Sequence, residues 1–162
     1  MRPRTITYFP AESIITLDFD AKKDTTAQAA VPTHQVEGLA RRVLVLEDRD
    51  DFREVIQDYL TSQRYQVTSV RSGVEGLRKI MKETFDIILC DMMMPKVGGE
   101  MFYWAVTRVR PAAGQRFIFF TGHQNNPAIN FFFKRVKATV LIKPFRLDAL
   151  DLAIRDVCRK LI

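Results

Sequence analysis

The chain has 162 residues, 47% of them apolar, with 25 Lys and Arg against 19 Asp and Glu and only two cysteines. That apolar content supports a proper core in one domain with an appendage, which excludes a disordered chain and a disulfide scaffold. No apolar stretch approaches the roughly 20 residues of a membrane span, and Met1-Arg2-Pro3-Arg4-Thr5 lacks the apolar segment of a signal peptide.

Residues 1–40 differ from the rest. Ile15, Leu17 and Phe19 alternate with Thr16, Asp18 and Asp20, the pattern of a half-buried strand. Thr5 to Phe9 is a second candidate strand, and Lys22 to Gln35, rich in Ala, Thr and Gln with Pro32, reads as a linker. We expect an arm over 1–40, with a short hairpin, and a domain over 41–162. The arm has four basic and five acidic residues, so the positive charge belongs to the domain, with 21 basic against 14 acidic. The basic residues are scattered over several predicted helices and no nucleic-acid-reading motif accompanies them. A solvated surface is expected, with no nucleic-acid partner and no membrane.

From Arg41 onward strands and helices alternate. Val43-Leu44-Val45-Leu46 ends on Glu47-Asp48, and Ile87-Ile88-Leu89-Cys90 on Asp91. Phe117-Ile118-Phe119-Phe120 ends on Thr121, and Val140-Leu141-Ile142 on Lys143-Pro144. Continuous apolar runs of this length read as strands buried on both faces of a helix-covered parallel sheet. Tyr65 to Val70 alternates and reads as an edge strand. Between the strands, Asp51 and Glu54 have capping-box spacing at a first helix, whose apolar stripe is Phe52, Val55, Ile56, Tyr59 and Leu60. The next helix carries Val74, Leu77, Ile80 and Met81. A third carries Met101, Phe102, Ala105, Val106 and Val109, and Pro111 ends it. Pro127 opens a fourth, and Leu147 to Leu161 forms the last. Cys90 and Cys158 fall inside a strand and a helix, as reduced thiols of a cytoplasmic protein would.

Five strands and five helices in alternation predict an α/β fold with a doubly wound, five-stranded parallel sheet of order 2-1-3-4-5. Ligands of such sheets bind outside the carboxyl ends of the strands, at the reversal of strand order. Glu47, Asp48, Asp91, Thr121 and Lys143 all fall at that edge. Three carboxylates, a hydroxyl and an ammonium in one cleft suit a divalent cation and a phosphoryl group.

Four pieces in order carry a family resemblance: Val-Leu-Val-Leu-Glu47-Asp48, the run from Phe85 through Asp91 to Pro95, Phe-Phe-Thr121-Gly122, and Leu-Ile-Lys143-Pro144-Phe145. Asp48, Asp91, Thr121 and Lys143 are 43, 30 and 22 residues apart, as in that family. The segment from Arg41 to Ile162 resembles the receiver domain of two-component response regulators, which implies the flavodoxin-like receiver fold. The resemblance makes Asp91 the phosphorylated residue. It assigns Mg2+ to Asp48, Asp91 and the backbone carbonyl of Met93, with Glu47 acting through water. Without metal, the clustered carboxylates should raise at least one pKa by repulsion. Lys143 and Thr121 would contact the phosphoryl group, Gly122 would leave room for it, and the Lys143–Pro144 bond is often cis in the family.

Val140 stands where many receivers carry an inward-turning Tyr or Phe, and a valine cannot supply that displacement. Aliphatic residues there resemble receivers of hybrid kinases and stand-alone regulators. His123, two residues after Thr121, occupies a spot that tunes dephosphorylation in the family; its bland reading is a loop histidine. Phe131, Phe132 and Phe133 cannot all face a core, since successive helical residues point about 100° apart. Phe131 should face outward near Lys134 and Arg135, either as a lone exposed aromatic, under the arm, or as a docking or homodimer surface on the fourth-helix face.

The expected function is a phosphorelay switch with no output domain of its own. It would take a phosphoryl group from a histidine kinase or histidine phosphotransfer protein. The alternative is a receiver-shaped docking module not regulated by phosphorylation. An independent metal-dependent phosphatase is disfavoured, because the first strand leads into Glu-Asp-Arg-Asp-Asp rather than Asp-x-Asp. No glycine-rich nucleotide loop and no Cys/His zinc cluster accompanies it.

Overall fold

Leu44 and Leu46 point to one face of a sheet and Val43 and Val45 to the other, and the runs at 87–90 and 117–120 repeat that division. The computed structural model describes residues 41–162 and the backbone of two strands at 4–9 and 15–19. In chain order the elements are β1 (Arg4–Phe9), β2 (Ile15–Phe19), β3 (Arg42–Leu46), α1 (Asp50–Ser62), β4 (Gln66–Val70) and α2 (Gly73–Lys82). There follow β5 (Ile87–Asp91), α3 (Gly99–Val109), a 3-10 segment (Pro111–Arg116), β6 (Phe117–Thr121), α4 (Pro127–Val136), β7 (Thr139–Ile142) and α5 (Leu147–Lys160). The 3-10 segment was not anticipated; it fills the connection after the helix that Pro111 terminates.

Strands β4-β3-β5-β6-β7 are parallel neighbours, the order 2-1-3-4-5 that the alternation predicts. The arm forms the expected hairpin, and its pairing with β7 is what the sequence did not indicate. β1 and β2 pair as an antiparallel hairpin, and β1 pairs antiparallel with the edge of β7, Tyr8 opposite Leu141 and Phe9 opposite Val140. Among the described residues the sheet therefore has seven strands, β2-β1-β7-β6-β5-β3-β4. The linker expected over Lys22 to Gln35 lies outside the described residues.

Two cores flank the sheet. Leu44, Leu46, Ile88, Cys90, Phe117 and Phe119 pack against α2, α3 and α4 through Ile80, Phe102, Val106 and Phe132. Val43, Val45, Ile87, Leu89, Ile118 and Phe120 pack against α1 and α5 through Ile56, Leu60, Leu150 and Ile154. Burial on both faces explains why these strands read as unbroken apolar runs. The first three helices cover the sheet with narrower stripes than their apolar residues indicate. Val55, Met81, Met101 and Val109 are exposed rather than in the core, and Val74 is at the margin.

The expected capping box at Asp51 and Glu54 is not formed. The N-cap of α1 is Arg49, which makes no side-chain cap bond, and both aspartates lie inside the first turn. There Asp50 pairs with Arg53 and Arg71, and Asp51 with Arg49. The side-chain cap of that type occurs at Ser72, whose hydroxyl accepts from the Glu75 N–H at 3.2 Å while the Glu75 carboxylate accepts from the Arg71 N–H. Among the described residues no helix is long and apolar enough to cross a membrane.

Candidate functional site

The parallel register brings the polar ends of the runs to one edge. Leu46 lies opposite Cys90, so Glu47, directly after β3, adjoins Asp91 at the end of β5. Asp91 lies opposite Phe120, and Thr121 opposite Ile142, which puts Thr121 one step beyond Asp91 and Lys143 directly after β7. The Lys143 N–H donates to the Thr121 carbonyl at 2.8 Å, which continues the ladder to the site's rim. The Lys143–Pro144 bond is cis, as the resemblance implied.

From there the Lys143 side chain reaches across β6. Its Nζ donates to Glu47 Oε2 at 2.6 Å and to Asp91 Oδ2 at 3.0 Å. Asp91 Oδ1 accepts from the Met93 N–H at 3.1 Å, and Glu47 Oε1 from the Arg49 N–H at 3.1 Å. Glu47 and Thr121 are both wholly buried, and Asp91 is 5% exposed. Such burial of carboxylates is tolerable only with charge-assisted partners. Burial pushes the Glu47 carboxyl above the usual carboxylate range; the Lys143 hydrogen bond opposes that rise, and the Asp91 charge adds to it. The rise expected from clustering is present, but burial rather than repulsion is its largest cause.

Glu47, Asp48 and Asp91 each offer a carboxylate oxygen, and the three oxygens lie within 4.8 Å of one another. An all-oxygen, hard donor set of this size fits a small divalent cation such as Mg2+, which pairs one or two carboxylates with retained waters. The Thr121 hydroxyl oxygen accepts from the His123 N–H at 3.0 Å, which ties the loop after β6 to the site. A Cβ built on Gly122 would meet nothing within 4 Å, so there is open space beside Thr121. A Cβ on Gly99 would lie 2.8 Å from the Asp91 carbonyl oxygen and 2.9 Å from the Met92 Cα, so only glycine lets α3 start so close to β5. Two surface clefts, one by Phe85 and Arg110 and one by Tyr103 and Lys137, are lined by none of these groups.

Two neighbours of the site escaped the sequence reading. Arg53 is buried and donates to the Glu47 carbonyl at 3.0 Å, which satisfies the acceptor at the end of β3. Phe52 presents its ring to the Lys143 ammonium, 4.7 Å from Nζ to the ring centre. An arginine in the middle of an apolar helical stripe was the available signal for the first. The second depends on contact across distant elements and had none. On the other side of the sheet, Val140 is buried while Phe131 is 67% exposed beside exposed Lys134 and Arg135. Cover of Phe131 by the arm would involve residues outside the described ones.

The family model for the response regulator receiver domain matches residues 43–155. The transcriptional regulatory protein GlrR of Escherichia coli strain K12 is 30% identical over 114 residues, 70% of this chain and 25% of that protein. The chain thus spans about a quarter of that curated relative's length. The chemotaxis protein CheY4 of Vibrio cholerae superposes with a TM-score of 0.66 at 28% identity, over 73% of this chain and 98% of that one. The response regulator TrrA of Thermotoga maritima, solved in complex with Mg2+ and BeF, shares the fold with a TM-score of 0.62 at 20% identity, over 72% of this chain and 98% of its own.

Proposed function

The chain belongs to the response regulator receiver domain family, and from that premise we propose that Asp91 accepts a phosphoryl group as the input to a two-state signalling switch. Receiver domains act in phosphorelay signalling as switches rather than as classical enzymes, and they interact with histidine kinases. The donor for this chain is a histidine kinase or histidine phosphotransfer protein in the cytoplasm. The domain boundary lies near residue 40, with the arm outside the phosphoryl-accepting unit.

One observation carries the reading: a single ammonium, Lys143, holds two buried carboxylates, Glu47 and Asp91, at 2.6 and 3.0 Å. A carboxylate nucleophile needs position and charge compensation more than covalent help, and phosphoryl transfer is mostly positioning and electrostatics. An Asp91 carboxylate oxygen forms the new bond to phosphorus as the phosphorus–nitrogen bond of the phosphohistidine breaks, and the imidazole leaves with its electron pair. The Met93 N–H fixes the other oxygen of Asp91. Lys143 remains within reach of the phosphoryl oxygens as a point charge, and the Thr121 hydroxyl donates to one of them across the space beside Gly122. Glu47, Asp48, Asp91 and the Met93 carbonyl would hold Mg2+, which when bound neutralises charge on the phosphoryl oxygens.

The phosphoryl group adds a charge of about −1.5 to −2 next to Thr121, at the head of the loop into α4. We assign the readout to that helix. Phe131 with Lys134 and Arg135 forms an exposed aromatic and basic surface for a partner or a second copy. Val140 supplies no aromatic to relay the change.

Acetyl phosphate with Mg2+, read by intact mass, tests the proposal. Wild type should gain one phosphoryl group and Asp91→Asn none. A wild type without adduct, or an adduct that survives Asp91→Asn, favours the docking module that ignores phosphorylation.

A further inference from the structure

We infer that Phe52 is a positioning residue for phosphoryl transfer: its ring face holds the Lys143 ammonium against Asp91. This rests on the phosphoacceptor reading above. A lysine ammonium is a strongly hydrated point charge on a flexible four-carbon stem, so its place in a site must be set by what surrounds it. Here Glu47 and Asp91 take two of its donors. The Phe52 ring lies 4.7 Å away, well within the distance at which a ring's negative face attracts a cation. The apolar ring also replaces water on that side, which strengthens the attraction to all three partners.

The ring itself is held in place. Phe52 meets Phe120 edge-on at 6.0 Å and Phe145 edge-on at 5.5 Å, and Phe120 and Phe145 are 5.1 Å apart. These separations and the edge-on geometry of the first two are favourable for aromatic pairs. Phe120 immediately precedes Thr121, and Phe145 follows Lys143 by two residues. The three rings therefore join the first turn of α1 to the two strand ends that supply the hydroxyl and the ammonium. Acceptor, hydroxyl and ammonium come from three strands, and this cluster fixes the spacing between two of them. Leucine would fill much of the same volume and keep the site apolar, but it has no ring face to offer a cation. Tyrosine would keep the face.

Phe52→Leu and Phe52→Tyr, made in the full chain, separate position from packing. With acetyl phosphate and saturating Mg2+, the leucine variant should incorporate phosphoryl about three- to tenfold more slowly than wild type. The tyrosine variant should stay within about twofold. Mg2+ affinity, measured by calorimetry, should be no weaker in either variant, because a phenyl ring offers the ion no ligand. In NMR spectra the Lys143 ε-methylene protons should be ring-current shielded in wild type and move to ordinary lysine positions in Phe52→Leu.

A leucine variant as fast as wild type overturns the inference. So does a tyrosine variant as slow as the leucine one, or loss of rate together with Mg2+ affinity, which would indicate general loosening. Should wild type take up no phosphoryl group at all, the phosphoacceptor reading falls instead. The Lys143 shifts then still decide whether the ring holds the ammonium, and unshielded shifts in wild type overturn that.

Discussion

Glu47 is wholly enclosed at the end of β3, with Lys143 on one oxygen, the Arg49 N–H on the other and Asp91 facing it across the cluster. Its burial favours the protonated form, and this has a consequence for stability that can be signed. Below its ordinary pKa of 4.5 the group is protonated in both the folded and the unfolded chain. As pH rises through that value the unfolded chain releases its proton first while the folded protein retains it. The folded state then binds more protons, so stability falls with rising pH until Glu47 ionises in place. Glu47→Gln removes that dependence. In urea unfolding with a metal chelator, wild type should lose stability relative to Glu47→Gln as pH rises from 4.5, by at most about 1.4 kcal/mol per pH unit. Parallel stability curves would mean that the buried carboxyl is not the group that holds the proton.

Glu47, Asp91, Thr121 and Lys143 could be read in the sequence because each directly follows or ends an apolar run, and a parallel sheet collects such ends at one edge. Phe52 and Arg53 could not be assigned that way, since their roles arise from contacts that join α1 to β3 and β7. Helical stripes were over-read for a geometrical reason. A helix lying on a sheet buries little more than one face, so Val55, Met81, Met101 and Val109, which flank that face, stay exposed. Asp51 and Glu54 have capping-box spacing but start two residues past the Arg49 N-cap, whereas Ser72 and Glu75 have it at a helix start. At this scale two glycines give opposite expectations. Gly99→Ala drives a methyl into backbone at the Asp91–Met92 junction, and should cost about 1–3 kcal/mol in urea unfolding while slowing phosphoryl uptake. Gly122→Ala meets no atom, so stability should stay within about 0.5 kcal/mol. If the phosphoryl group enters the space beside Thr121, uptake should slow in that variant although stability does not change. Unchanged uptake would place the incoming group elsewhere.

Taken whole, the molecule is a two-faced sheet whose described core residues all lie between Val43 and Val157, with a hairpin added at one edge. The family match, 43–155, covers all but the end of that span, so the five parallel strands and their helices should fold without residues 1–40. The hairpin nonetheless occupies a position with a physical cost when empty. β7 pairs with β6 on one side and with β1 on the other, and loss of β1 leaves a row of backbone donors and acceptors at Val140 and Leu141 open to another chain. A fragment of residues 41–162 should therefore unfold in one cooperative urea transition and still take up a phosphoryl group on Asp91. It should also self-associate more than the full chain as concentration rises, as sedimentation velocity would show. Cooperative unfolding with no added self-association would mean that the hairpin does not protect that edge. Loss of the cooperative transition would make the arm part of the folding unit, and the boundary near residue 40 would have to be withdrawn.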